Sequence, residues 1–353
     1  MASRRLGAVQ SDRVKHLLIA PPLLFLLLLS LIPLLLTLGL SLTSMDISGK
    51  GRWIGVDNYI RLADDPIFIE SYVNTLIFVA IGLPVQYFLG LGLAILVHGT
   101  PGGQRLWRLI IPIPLMVAPL VIGFIWKTIF DSRFGPVNDV ITALGGDAVP
   151  WITDNVLAFI SILVVDTWQW TPFVFLILYA GLRTLPVEPF EAARVDGASR
   201  WRMFWDVTFP MLIPASVAAI LLRGIEAFKI FDIVFYITGG GPGTATTTTL
   251  TAYFTGLRSG YVGYGGAMAF ILFLTVVIFG FALPLSAGLL TNRRDKALRR
   301  ALELVDDPSA GATGRRNGAV AQLGERRVRN AKIRGSTPLG STILHFSDNC
   351  SVT

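Results

Sequence analysis

Six apolar runs, each long enough to cross a lipid bilayer, leave this chain few ways to fold. They cover residues 17 to 43, 72 to 97, 108 to 130, 155 to 180, 209 to 235 and 264 to 290. A hydrocarbon core about 30 Å thick is crossed by a helix of about 20 apolar residues. The expectation is therefore an all-α, polytopic membrane protein with six transmembrane helices. Composition agrees: 353 residues could build two soluble domains, but 53% hydrophobic and 15% charged residues do not make a water-facing surface.

The formal charge of +7 is no sign of a nucleic-acid partner, because residues 292 to 353, with 12 Lys+Arg and 6 Asp+Glu, contribute +6 of it. Cys350 is the only cysteine, and His16, His98 and His345 lie far apart, so neither a disulfide nor a metal-ligand spacing is available. The first run follows Arg4, Arg5, Arg13 and Lys15, as a signal peptide would. It is too long for one and lacks a small-residue cleavage site, which predicts a retained span. Pro33, Pro84, Pro112, Pro114, Pro119 and Pro172 fall within runs and predict kinks whose freed backbone groups neighbouring spans satisfy.

Orientation is read from Lys and Arg in the short loops. The first side collects 15 of them, in segments 1 to 16, 98 to 108, 181 to 208 and 291 to 300. The other side has five: Lys50, Arg52, Arg61, Arg133 and Arg258. That asymmetry predicts a cytoplasmic N-terminus (1–16), a six-span body (17–290) with a cytoplasmic loop at about 181–208, and a cytoplasmic basic tail (291–353).

The 181–208 loop is the most informative stretch. Pro189 suits a first helical turn and Gly197 a helix stop, which predicts a short helix from about Pro189 to Asp196. Ser199 is placed to cap a second, running to about Asp206. Glu191-Ala192-Ala193, then Gly197, then Val207-Thr208-Phe209-Pro210 resembles the EAA loop of ABC importer permeases: E-A-A, three residues, G, nine residues, I-x-L-P. Val207 and Phe209 depart from that pattern, each by an apolar replacement. Gly55-Val56-Asp57-Asn58-Tyr59 with Asn74-Thr75, and Phe231-Asp232-Ile233 with Thr238-Gly239-Gly240-Gly241-Pro242, are similar to segments of the carbohydrate-uptake branch. The resemblance covers about residues 15 to 290.

The resemblance implies a type I importer permease fold whose loop is a coupling helix seated in a cleft of an ATPase subunit, with Glu191, Ala192, Ala193, Asp196 and Gly197 as its coupling positions. It implies as partners a second permease, two ATPase subunits that bind ATP and Mg, and an extracytoplasmic substrate-binding protein, in a bacterial inner membrane. No cofactor is expected in the chain itself. The glycines at 239 to 243 lack the Gly-Lys-Ser/Thr ending of a phosphate loop, and no Walker A sequence occurs elsewhere, so a separate subunit is expected to hydrolyse ATP. The glycine run reads as a tight turn.

Polar residues inside the runs are candidates for the substrate path. Asp166, Trp168, Gln169 and Trp170 offer a carboxylate, an amide and two indoles, suited to the hydroxyl rims and C–H faces of a sugar; packing or interfacial roles suit the indoles equally. Asn74, Gln86 and the Thr246 to Thr249 cluster are weaker candidates, expected to be satisfied within the protein. Arg223, Glu226, Lys229 and Asp232 alternate in sign at i, i+3, so a structural ion pair along the helix is favoured over direct contact of Arg223 and Glu226 with substrate.

Beyond residue 300 the composition turns to that of a linker, and disorder is expected. From about residue 315 the sequence looks like the translated complement of a tRNA gene, a read-through product; a basic arm for RNA or lipid is the other reading. A sugar or a derivative such as glycerol 3-phosphate is the expected cargo. The rival classes are an ion-coupled secondary transporter and a membrane enzyme using Asp166 or Glu226 as acid or base.

Overall fold

The computed structural model describes residues 2–100, 102–239 and 245–306, and among these the regular structure is helical. The chain opens with α1 (Ala2–Ser41), whose apolar part is Leu18–Ser41. A loop then leads to the short α2 (Asp57–Ala63). Asn58, buried, donates to the Ser41 and Thr43 carbonyls at 2.8 and 2.9 Å, and the Ser41 hydroxyl meets the Tyr59 hydroxyl at 2.6 Å. The Asp57-Asn58-Tyr59 segment thus ties off the end of α1.

Helix α3 (Pro66–Gly99) starts sharply because Asp65 accepts from the Ile67 and Phe68 N–H groups and Pro66 presets the first turn. Its main partner is α7 (Asn155–Arg183), capped the same way by Asp154. Gly90 lets the two backbones close: a Cβ there would stand 2.8 Å from the Val174 side chain. Tyr87, Leu91, Val174, Phe175, Leu178 and Leu212 form the core they share with α10 (Phe209–Phe228).

Between α3 and α7 the third apolar run does not form one continuous helix. It divides into α4 (Gln104–Ile110), a 3-10 turn (Ile113–Met116) and α5 (Pro119–Ile129), bent by 87°. Pro112, Pro114 and Pro119 remove three backbone donors within eight residues, more than a helix tolerates. At Pro33, Pro84 and Pro172 the helices instead run through. Helix α6 (Pro136–Ala143) follows a turn in which Asp131 accepts from the Arg133 and Phe134 N–H groups at 2.9 and 3.0 Å, holding its carboxyl below the usual carboxylate range.

Two short helices, α8 (Glu188–Val195) and α9 (Arg200–Met203), form the 181–208 loop. A π turn (Phe204–Thr208) then carries α9 into α10 without a break, so the fifth apolar segment extends over Arg200–Phe228. At its other end it is shorter than the sequence suggests. Helix α10 stops at Phe228, and Asp232 begins a separate helix, α11 (Asp232–Thr238), packed on α5. Asp232 therefore does not continue the Arg223-Glu226-Lys229 series.

Gly239, with φ +69°, closes α11, and Gly240–Gly243 lie outside the described residues. Helix α12 (Thr248–Tyr253) and a π turn (Phe254–Arg258) lead to α13 (Val262–Asp306), which packs on α1. Among the described residues five helices are long and apolar enough to cross a membrane, six if the bent pair counts as one span. The backbone of α13 is helical to Asp306. The linker and the tail from Asp307 lie outside the described residues.

Candidate functional site

The loop between α7 and α10 has the form its sequence predicts. Pro189 sits in the first turn of α8 and Arg194 in the last. Gly197, at φ +71°, ends the helix: its N–H reaches the Arg194 carbonyl at 3.0 Å and the Ala198 N–H reaches the Ala193 carbonyl at 2.9 Å. Those two bonds are a Schellman stop, which needs a left-handed residue at that position. Ser199 then caps α9 through the Arg202 N–H. Ala193 is buried against the body, Ala192 is half-buried, and Glu191, Asp196 and Gly197 are exposed. The helix thus rests on its small residues and turns its acids outward.

Among the described residues of the membrane body the largest fully buried side chain is Arg223 of α10, 1% exposed. Its counter-ion is not Glu226, three residues on, but Asp166 of α7, with which it forms a buried ion pair. Gln86 of α3 completes the set, donating to Asp166 at 2.7 Å while its own carbonyl accepts from Arg223 Nε at 2.6 Å. Trp170 lies against the guanidinium, its ring centroid 4.8 Å away. Three spans are joined by one closed network, with the charge matched inside protein as a charge at membrane depth requires.

Glu226 pairs instead with Lys229 at 2.7 Å, both about half exposed. Asn74 donates to the Thr246 carbonyl at 3.3 Å. Thr75, Thr247 and Thr248 bond to one another, to Ser71 or to Ile230, tying α3 to α12 and the end of α10. Asn74, Glu226, Thr75, Thr247 and Thr248 are thus satisfied within the protein, whereas Thr249 of the threonine cluster departs from the expectation, its Oγ1 buried with no hydrogen-bond partner.

Two candidates differ. Gln169 donates to the Val117 carbonyl at 3.3 Å, at the break in the third segment, while its own Oε1 is buried with no hydrogen-bond partner. Trp168 is 44% exposed and packs edge-on against Trp126 of α5, centroids 5.6 Å apart. The sequence candidates thus divide among four places: the Asp166–Arg223–Trp170 cluster, the Trp168–Gln169 strip beside the broken span, Asn74 and Glu226. Sequence reasoning passed over Trp126 and underrated Gln86. Their signal was an amide and an indole in apolar runs already read as spans.

Known proteins share this architecture. A bacterial ABC transporter that imports the acidic polysaccharide alginate has a chain matching 82% of this one and 99% of its own length, with TM-score 0.64 and 22% identity. The sulfoquinovosyl glycerol transport permease of Agrobacterium fabrum is 37% identical over 73% of this chain and 84% of its own. The trehalose/maltose transport permease of Thermococcus litoralis is 32% identical over 76% and 91%. Residues 16–296 match the family described as binding-protein-dependent transport system inner membrane component. The chain belongs to that family of integral inner-membrane permeases.

Proposed function

We infer that this chain is a permease subunit that passes a sugar or sugar-like solute through the membrane in an ATP-driven importer, with α8 as the lever an ATPase subunit grips. The observation that carries the reading is the form of α8: a short helix closed by Gly197, seated on Ala193, with Glu191 and Asp196 exposed between two spans. ATP and Mg belong to two ATPase subunits. A second permease, as a heterodimer, and an extracytoplasmic binding protein complete the assembly, with both termini and α8 in the cytoplasm. The sugar transport named for the relatives from Agrobacterium fabrum and Thermococcus litoralis supports the cargo class; a polyol derivative such as glycerol 3-phosphate shares its chemistry.

Closing of the ATPase dimer would draw the two α8 helices together and rock the spans, and hydrolysis would reset them. Of the path candidates, Trp168 and Gln169 are placed to meet substrate, since one presents an open indole face and the other an unused amide oxygen beside the broken span. Asp166, Trp170 and Arg223 hold helices together instead. That buried pairing also counts against an ion-coupled mechanism using Asp166 as its carrier group.

The test is Glu191→Lys in the assembled complex. Substrate-stimulated ATPase and uptake should each fall by about tenfold or more, equivalent to about 1.4 kcal/mol, while the chain still folds and inserts. Undiminished stimulation and uptake would remove the coupling role.

A further inference from the structure

Beneath α8 lies a half-open cavity of ≈ 690 Å³, bounded by the C-terminal ends of α3 and α7, the start of α4, and α8, α9 and the π turn. Its floor is apolar, built from residues such as Ile95, Leu182 and Phe204. Around it stand three cations from three elements, Arg183 of α7, Arg194 of α8 and Arg200 of α9, and among the described residues no carboxylate lines it. Among the described residues the side chains of Arg194 and Arg200 make no ion pair or hydrogen bond, and Arg183 makes one long bond, 3.5 Å, to Gln104. Three guanidinium groups around one hollow repel each other, so the arrangement favours an anion.

Two further features say what kind of anion. A soluble one gains nothing from the hydrocarbon floor. The wall residue Gln104 also opens α4, whose Leu106, Trp107 and Leu109 are exposed apolar side chains, while Trp201 of α9 and Trp205 of the π turn are exposed. Indoles and leucines together at the ends of spans mark the depth of lipid headgroups. A basic pocket between spans at that depth takes a phosphodiester headgroup, with the arginines on phosphate and an acyl chain along the floor.

We propose that this cavity binds an anionic phospholipid of the adjacent leaflet, placed where the lipid touches both the α7 end and the coupling helix. The site stands on the permease chain alone and needs no ATPase, so its failure and that of the coupling reading are separable. The experiment is native mass spectrometry of the purified full chain in mild detergent with equimolar phosphatidylglycerol and phosphatidylcholine. The wild type should retain phosphatidylglycerol with about tenfold preference. Arg183→Gln/Arg200→Gln should bring the two lipids close to parity, and Arg194→Gln alone should reduce the preference partway. Arg52→Gln/Arg133→Gln, equal in charge but beyond the N-terminal ends of α3 and α7, should leave it intact. Parity in the wild type, or an undisturbed preference in the cavity variants, overturns the proposal. Displacement of the lipid by millimolar inorganic phosphate would also overturn it, assigning the arginines to a soluble anion.

Discussion

Asp166 and Glu191 are both helix carboxylates, yet they stand in opposite conditions. Asp166 is 1% exposed and held by Gln86 and Arg223, whereas Glu191 faces outward with no ion pair among the described residues. In the first case the polar groups close on each other and join α3, α7 and α10. In the second they are left open on a helix whose C-terminal end is closed by the Gly197 stop, the condition that the proposed coupling role requires. Matching within the chain marks a group that holds the fold; an unmatched group on a rigid support marks one facing a partner.

The sharpest way to break this contrast is to remove one half of the buried pair. Asp166→Ala strands the Arg223 charge and should cost about 3–5 kcal/mol, read as loss of folded chain or a lower melting temperature in detergent. Asp166→Leu with Arg223→Met should recover most of that loss, and retained uptake in the double variant would place both residues outside the substrate path. If Asp166→Ala melts like the wild type, the cluster is not what joins the spans.

Gln169→Leu comes next. It leaves the Val117 carbonyl without its donor at the break, a cost of about 1–3 kcal/mol, and should also weaken uptake more than stability if the amide meets substrate. On the exposed side, Gly197→Ala must hold an alanine at φ +71°, a cost of about 1–2 kcal/mol, confined to the loop and visible as weaker ATPase stimulation with little change in melting. Gly197→Asn should be milder, since asparagine tolerates that region. The smallest effect belongs to Glu226→Gln: its pair with Lys229 is half exposed, and the loss should stay within about 1 kcal/mol by thermal melting.

What the sequence made legible follows the range of each interaction. The spans and α8 are set by local composition and by capping residues within a few positions, so Pro189, Gly197 and Ser199 announced them. The partner of Arg223 lies 57 residues away on α7; a reading that looks three positions along the helix finds Glu226 and stops there. The break at residues 112–119 was visible as three prolines, but their number, and not the presence of any one, decides between a kink and a bend of 87°. Gln169 and Trp126 gain their setting only from that bend. The run of α13 to Asp306 agrees with local composition, since the stretch to that point contains no proline or glycine after Gly288.

The π turn at Phe204–Thr208 has a mechanical consequence. Thr208 Oγ1 reaches the Met203 carbonyl at 3.3 Å across the widened turn, and α8 packs against it, so no slack segment separates the loop from the membrane rod. From Arg200 to Arg223 the rod is about 35 Å long at 1.5 Å per residue. On the proposed coupling reading, a push at the mouth of the loop would be carried along this rod to the guanidinium anchorage, where Arg223 ties it to α3 and α7.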